Sequence, residues 1–210
     1  SGLFQLFTAE SHKINMSRPV PNIFKTIKIL WFIYAGFTVV EIMLLKFLGL
    51  SSFDAVIHSL TTLSTGGFSS YDASIGYFKE AGYQYYQLIE YVIIIFMAAG
   101  GINFLVHYKV LTGNLEELWS GIEMKYFWGI IGGVSSLIIF EHYLHFPFAW
   151  QSLEETFRTT LFQVVSIITT TGYGTESING AFFPALAKQL LLILMLIGGC
   201  VGSTSGGIKV

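Results

Sequence analysis

Four stretches of the chain are long, apolar and almost free of charge. Residues 29–50 carry only Glu41 and Lys46, and residues 91–108, 126–140 and 189–208 carry no Asp, Glu, Lys or Arg. At about 1.5 Å per residue, the first rises about 33 Å, enough to cross a hydrocarbon core of roughly 30 Å. Between the first and second of these spans lies an uncharged piece, residues 55–71. Its first half has a helical pattern (Ala55, Val56, Ile57, Leu60, Leu63), and its second half turns to Ser, Thr and Gly. It is too short and polar to cross, so it reads as a re-entrant segment. The same order recurs later, where residues 159–168 lead into Thr169-Thr170-Thr171-Gly172-Tyr173-Gly174. The pattern therefore predicts an internal repeat: span, half-membrane helix, Thr/Gly-rich return, span, twice over. The expected fold class is an all-α membrane protein of two tandem M1-P-M2 units with re-entrant pore helices.

Composition narrows the picture. Of 210 residues, 53% are hydrophobic and 11% charged, whereas soluble domains carry about 25% charged residues. A formal charge of -2 gives no basic surplus for nucleic acid. Cys200 stands alone, which excludes a disulfide scaffold and a thiolate zinc module. Lys13, Arg18, Lys25 and Lys28, opposed only by Glu10, place the N-terminal end in the cytoplasm by the positive-inside rule. Four crossings then bring both ends to that side, and both re-entrant segments enter from outside. Asp54, Asp72, Glu80, Glu154, Glu155 and Glu176 fall near that mouth; each reads singly as a solvated residue, and together they would form an acidic vestibule that concentrates cations. The chain starts Ser1-Gly2 and is expected to be a piece of a longer protein. Its expected organisation is a tail (1–25), a first unit (26–108, pore loop 53–70), a short amphipathic connector (109–125) and a second unit (126–210, pore loop 151–176).

The candidate chemistry sits in the two returns. Thr170-Thr171-Gly172-Tyr173-Gly174 is one residue away from the Thr-Val-Gly-Tyr-Gly run in which potassium channels replace an ion's hydration shell with carbonyl oxygens. Glycine tolerates the dihedrals that turn carbonyls to one axis, and a Thr hydroxyl adds a further oxygen. Ser64-Thr65-Gly66-Gly67-Phe68 is the first unit's counterpart, with Thr65-Gly66 expected to answer to Thr171-Gly172. Candidate ligands are Ser64, Thr65, Gly66 and Gly67 with Thr170, Thr171, Gly172 and Tyr173. An oxygen-only lining facing the carbonyl end of a half-helix suits a bare hard cation. The last span is broken by Gly198-Gly199-Cys200-Val201-Gly202-Ser203-Thr204-Ser205-Gly206-Gly207. Small residues can serve close helix packing, but glycine costs roughly 1 kcal/mol each inside a helix. A flexible intramembrane loop beneath the returns, acting as a gate through Gly198, Gly199, Gly202, Ser203, Gly206 and Gly207, is the preferred reading.

Other residues tempt. Glu141, His142 and His145 share a helix face but supply too few ligands for a zinc site, and His58 and His107 read as partners of local backbone or headgroups. Glu41, inside a span, is expected to make a structural hydrogen bond. Gly202-Ser203-Thr204-Ser205-Gly206 mimics a nucleophile elbow but puts Thr204 at the middle position, with no Asp or His after it. No enzyme is expected.

Over nearly the whole chain the sequence resembles the TrkH/TrkG branch of the Trk/Ktr/HKT superfamily of potassium uptake proteins. The resemblance rests on Gln5-Leu6-Phe7-Thr8-Ala9-Glu10, on residues 64–78 from Ser64-Thr65-Gly66-Gly67 to Gly76-Tyr77-Phe78, on 169–175 and on 198–210. It implies four joined span, pore-loop, span units around one pore, of which this chain would hold the second and third. It further implies K+ as the transported ion with no cofactor and no transition metal, a gate at 198–207, homodimers, and a cytosolic nucleotide-binding subunit of TrkA type. The setting would be a bacterial or archaeal cytoplasmic membrane. A two-unit potassium channel subunit that dimerises to complete four loops is the alternative.

Overall fold

A computed structural model describes residues 23–147 and 150–209. The 1–22 tail, with Gln5 to Glu10 and the orienting Lys13 and Arg18, lies outside the described residues.

Helix α1 (Ile23–Phe47) is long and apolar: an 18-residue window has mean hydropathy 1.8, yet only 17% of it is buried. Phe24, Trp31, Phe32, Met43 and Phe47 project outward. So much exposed apolar surface belongs against lipid or further protein. After the Gly49 turn, α2 (Ser52–Leu63) starts at a reciprocal cap. Ser51 Oγ accepts the Asp54 N–H at 3.0 Å and donates its own hydrogen to Asp54 Oδ2 at 2.6 Å. Helix α2 packs on α1 and ends at Leu63.

A 3-10 turn (Ser74–Gly76) and the short α3 (Tyr77–Glu80) lead to α4 (Tyr86–Gly101), which packs against α1, α2 and the helix that precedes the second return. The expected span 91–108 is not one straight crossing. It breaks after Gly101 and bends by 106° into α5 (Phe104–Leu111). Ile102 is extended, and the Asn103 side chain accepts the Leu105 N–H at 2.9 Å, so a new helix starts there. Helix α5 folds back onto α1. The connector contains the single-turn α6 (Glu117–Ser120), and α7 (Ile122–His145) starts earlier than the apolar run at 126 suggested.

Helix α8 (Trp150–Ile168) has 19 residues, about 28 Å of rise, so it is longer than the half-helix expected at 159–168. Its extra turns carry Glu154, Glu155 and Arg158, which the apolar pattern could not register. Helix α9 (Ala185–Leu194) has ten residues and starts four residues before the uncharged run at 189. Glu141 of α7 reaches its start and accepts the N–H groups of Leu186 at 2.8 Å and Ala187 at 2.6 Å, a carboxylate at the positive end of a helix. His142 pairs with the Phe182 carbonyl and His145 with the Glu141 carbonyl. The core gathers where α4 meets α8, through Ile89, Ile93, Met97, Phe162, Val165 and Ile168.

Candidate functional site

The two returns are built on one backbone plan. In the first unit the Thr61 carbonyl accepts the N–H of Gly66 at 2.9 Å and of Gly67 at 3.1 Å; in the second the Ser166 carbonyl accepts those of Thr171 at 2.9 Å and Gly172 at 3.2 Å. The hydroxyls of the same residues reach forward, Thr61 Oγ1 to the Phe68 carbonyl at 2.9 Å and Ser166 Oγ to the Tyr173 carbonyl at 2.6 Å. Left-handed φ recurs in step, at Thr65 (52°) and Gly67 (64°), then at Thr170 (55°) and Gly172 (86°). Two β-branched residues in that region are strained positions that the surroundings must hold. This equivalence moves the expected register by one residue: Thr65 answers to Thr170, not Thr171, and Gly66 answers to Thr171. The shared Thr-Gly dipeptide suggests the wrong alignment, because the anchoring hydroxyl four residues upstream, not the dipeptide, sets the register.

A uniformly extended strand sends successive carbonyls to opposite sides, whereas positive-φ residues interleaved with a negative-φ one, as at 65–67 and 170–172, break that alternation, the kind of backbone that a row of cation ligands requires.

The returns meet. A Cβ on Gly67 would overlap the Thr171 carbonyl, so only glycine fits at this approach. Tyr173 is fully buried, and its hydroxyl lies 2.5 Å from Thr61 Oγ1, 3.2 Å from the His58 carbonyl and 3.3 Å from the Phe68 carbonyl. Its side chain is a strut between units rather than a lining group. Ser64 and Gly172 are exposed, Thr65 and Thr171 are buried, and Thr170 is partly so. Ser166, Ile167, Thr170, Gly172 and Met195 line an open pocket beside the second return.

The 198–207 loop lies against both returns. Its base is closed by Gly198 N to the Ile208 carbonyl at 2.7 Å and Ile208 N to the Leu196 carbonyl at 3.1 Å. A Cβ on Gly198 would overlap the Gly206 carbonyl, which explains part of the glycine content. Thr65 Oγ1 donates to the Thr204 carbonyl at 2.9 Å, and the Gly206 N–H donates to Thr170 Oγ1 at 2.7 Å. Ser205 Oγ accepts the Gly199 N–H at 3.1 Å and pairs with Ser203 Oγ at 2.7 Å. The Gly202 carbonyl accepts the Phe104 N–H at 3.2 Å.

The acidic mouth is largely spoken for. Asp54 is buried and also accepts the Tyr71 hydroxyl at 3.0 Å. Lys79 joins Glu155 at 2.7 Å and Glu176 at 3.0 Å. The hydrogen bond from Lys79 holds the Glu155 carboxyl below its usual range. Burial pulls the Lys79 ammonium down, but the two carboxylates outweigh it and hold it above its ordinary value. Only Asp72 and Glu80 remain as exposed acids of the six that lack such a partner in this group. Deeper, Arg158 pairs with Glu90 of α4, both 1% exposed, and with Glu154 at 2.7 Å, its guanidinium 5.2 Å from the Tyr86 ring centre. This pair ties α8 to α4.

Glu41 departs from expectation. It is fully buried beside the Thr62 hydroxyl, but that hydrogen goes to the His58 carbonyl at 2.6 Å, and neither Glu41 oxygen accepts a well-formed bond. His58 sits between the Asp54 carbonyl and Ser69 Oγ, and His107 on the Ala99 carbonyl. Sequence reasoning missed Thr61, Ser166, Arg158 and Glu90. A hydroxyl four residues before each left-handed threonine was the readable signal for the first two.

Residues 8–125 match the family model TrkH, described as a cation transport protein. The chain is 39% identical over its whole length to the Trk system potassium uptake protein TrkH of Escherichia coli, of which it covers 42%, and 32% identical over 90% of its length to TrkG of the same species, of which it covers 37%. The solved structure of the potassium transporter TrkH from Vibrio parahaemolyticus superposes with a TM-score of 0.79 at 32% identity, over 99% of this chain and 43% of that one. The chain thus spans about two fifths of the relatives it matches.

Proposed function

The chain belongs to the TrkH family of cation transport proteins, and from that premise we propose that it supplies two of the pore-lining units of a potassium uptake protein. The observation that carries this reading is the twice-repeated return, with its matched anchors at Thr61 and Ser166 and its matched left-handed positions. Carbonyls turned to one side, supplemented by threonine hydroxyls, offer oxygen ligands suited to a dehydrated monovalent cation. Ser64, Thr65, Gly66 and Gly67 form one part of that lining, and Thr170, Thr171, Gly172 and the Tyr173 carbonyl another. The carbonyl ends of α2 and α8 add negative potential at the same place. The 198–207 loop, hydrogen-bonded to both returns, is the gate. Potassium is the ion because the relatives that match over the full chain are named for its uptake.

The membrane setting follows from α1 and α7, each long and apolar enough to cross. Its N-terminal side is cytoplasmic. A nucleotide-binding regulatory subunit and a second copy of the whole protein complete the assembly, consistent with relatives named as parts of a Trk system. The test is Rb+ uptake by the full-length protein in cells lacking their own potassium uptake, with K+ and Na+ as competitors. Gly172→Ser, which strains a left-handed position, is expected to weaken the preference for K+ over Na+. Unchanged competition in that variant removes the second return from the selectivity site.

A further inference from the structure

The contacts between the 198–207 loop and the returns are made at the atoms the ion itself would use. A threonine hydroxyl has one hydrogen and two lone pairs. Thr170 Oγ1 spends a lone pair on the Gly206 N–H at 2.7 Å, so the positive end of a backbone dipole points at that oxygen. On the other return, Thr65 shares its hydroxyl hydrogen between the Ser64 carbonyl at 2.7 Å and the Thr204 carbonyl at 2.9 Å. Thr204 Oγ1 shares its own hydrogen between the Leu63 carbonyl at 2.8 Å and the Gly100 carbonyl at 3.0 Å, and its N–H goes to Gly100 at 3.1 Å. Leu63 is the last residue of α2, so its carbonyl belongs to the negative end of that helix. In this arrangement the Gly206 N–H occupies Thr170 Oγ1 in the second unit, the Thr204 hydroxyl occupies the Leu63 carbonyl at the foot of the first return, and Thr65 turns its own hydroxyl hydrogen to the loop, so one oxygen beside each return is taken by a donor where a bare cation would seek a lone pair.

We propose that Thr204 and Gly206 are positioning residues that make closure of the 198–207 loop and cation occupancy at the Thr65/Thr170 level mutually exclusive. The inference rests on the transport reading above and adds to it a linkage. Because a cation and the loop compete for the same oxygens, a cation at that level favours release of the loop. By reciprocity, release of the loop raises cation affinity there by the same factor. A loop that acts only as a steric plug has no such dependence.

Cys200 provides the reporter. It is fully buried within the loop, its N–H bonded to the Gly101 carbonyl at 2.9 Å, so its thiol meets a maleimide only when the loop lets go. The experiment labels the full-length protein in lipid nanodiscs and quantifies the Cys200 peptide by mass, as KCl replaces choline chloride at constant ionic strength. Labelling of the native chain is expected to accelerate about five-fold or more with K+. Thr204→Val, which keeps the shape and removes the hydroxyl, is expected to label fast in both salts, and Thr204→Ser to behave as native. A rate independent of K+, or slowed by it, while Rb+ uptake still saturates overturns the linkage and leaves the transport reading standing. Labelling that follows K+ in a protein that carries no Rb+ keeps the linkage and overturns transport. The native titration decides the matter even where Thr204→Val fails to fold.

Discussion

The two returns share a backbone plan and differ in how it is held. In the first, Phe68 is 73% exposed; in the second, its counterpart Tyr173 is 0% exposed, with its hydroxyl on Thr61. The helices that lead into them differ as well. Helix α2 is fixed at its start by the Ser51 and Asp54 cap and the Tyr71 hydroxyl, whereas α8 is fixed by a buried guanidinium shared between Glu90 and Glu154. The lesson is that the geometry of the returns depends on a small hydrogen-bond template, one hydroxyl and one carbonyl on the residue four before the left-handed threonine. The means of holding that template in place are free to vary.

The largest expected effect comes from breaking the second unit's anchor. Arg158→Met leaves the buried Glu90 carboxylate without its partner and is expected to cost about 3–5 kcal/mol, read as a fall in thermal unfolding midpoint in detergent. Replacing both charges, Arg158→Met with Glu90→Leu, should recover most of that loss. No recovery would mean that Arg158 acts through more than this pair. Next comes the closest approach of the two returns. Gly67→Ala drives a methyl into the Thr171 carbonyl and should abolish Rb+ uptake, while Gly174→Ala, whose Cβ would sit 3.8 Å from its nearest neighbour, should retain it. Equal losses at both sites would show that glycine content, not this contact, is what matters.

Smaller effects test the template. Thr61→Val and Ser166→Ala each remove one supporting hydrogen bond and should each cost about 1 kcal/mol, seen as matched falls in unfolding midpoint. Thr61→Val should cost somewhat more, because it also removes the nearest of the three oxygens around the Tyr173 hydroxyl. The smallest effect is the pH-dependent strap of Lys79, Glu155 and Glu176, all about a third or more exposed; Lys79→Gln should cost about 0.5 kcal/mol at neutral pH after solvent screening. Glu155 is held below its ordinary range, so its contribution is present above the ordinary carboxylate value and disappears as pH falls through the lowered one. Lys79 is held high, so its contribution is complete below the ordinary lysine value and fades as pH rises through the raised one. The gap between native and Lys79→Gln midpoints should therefore be widest between those limits and close on the acid side. A gap that persists in acid would show that Lys79 matters through packing of its stem.

Much of this architecture was legible in the residues. Long apolar runs marked α1 and α7, and the glycines of 198–207 marked a stretch that cannot remain helical. The returns were legible as Thr/Gly tracts after apolar helical stretches, although the charged first half of α8 was not. Their register was not, because a Thr-Gly dipeptide occurs in both at positions one residue out of step, and only hydrogen bonding to Thr61 and Ser166 separates the alternatives. The break at Gly101 was half visible: Gly100 and Gly101 weaken a helix and Asn103 caps the next one, but uniform apolarity across 91–108 hides the bend. The Arg158–Glu90 pair was invisible for a different reason. Its partners are far apart in the chain, and periodicity carries no information about which buried charges will meet.

Tyr173 carries one more consequence, for the order in which the protein is made. The ring that completes the second return rests on Thr61 and His58 of the unit synthesised before it. Synthesis from the N-terminus therefore makes the Thr61 and His58 surface before the ring that docks on it, and the later return can be templated on the earlier. Reversing the order of the two halves by circular permutation would put the ring ahead of its socket and should slow maturation even where the finished molecule is unchanged.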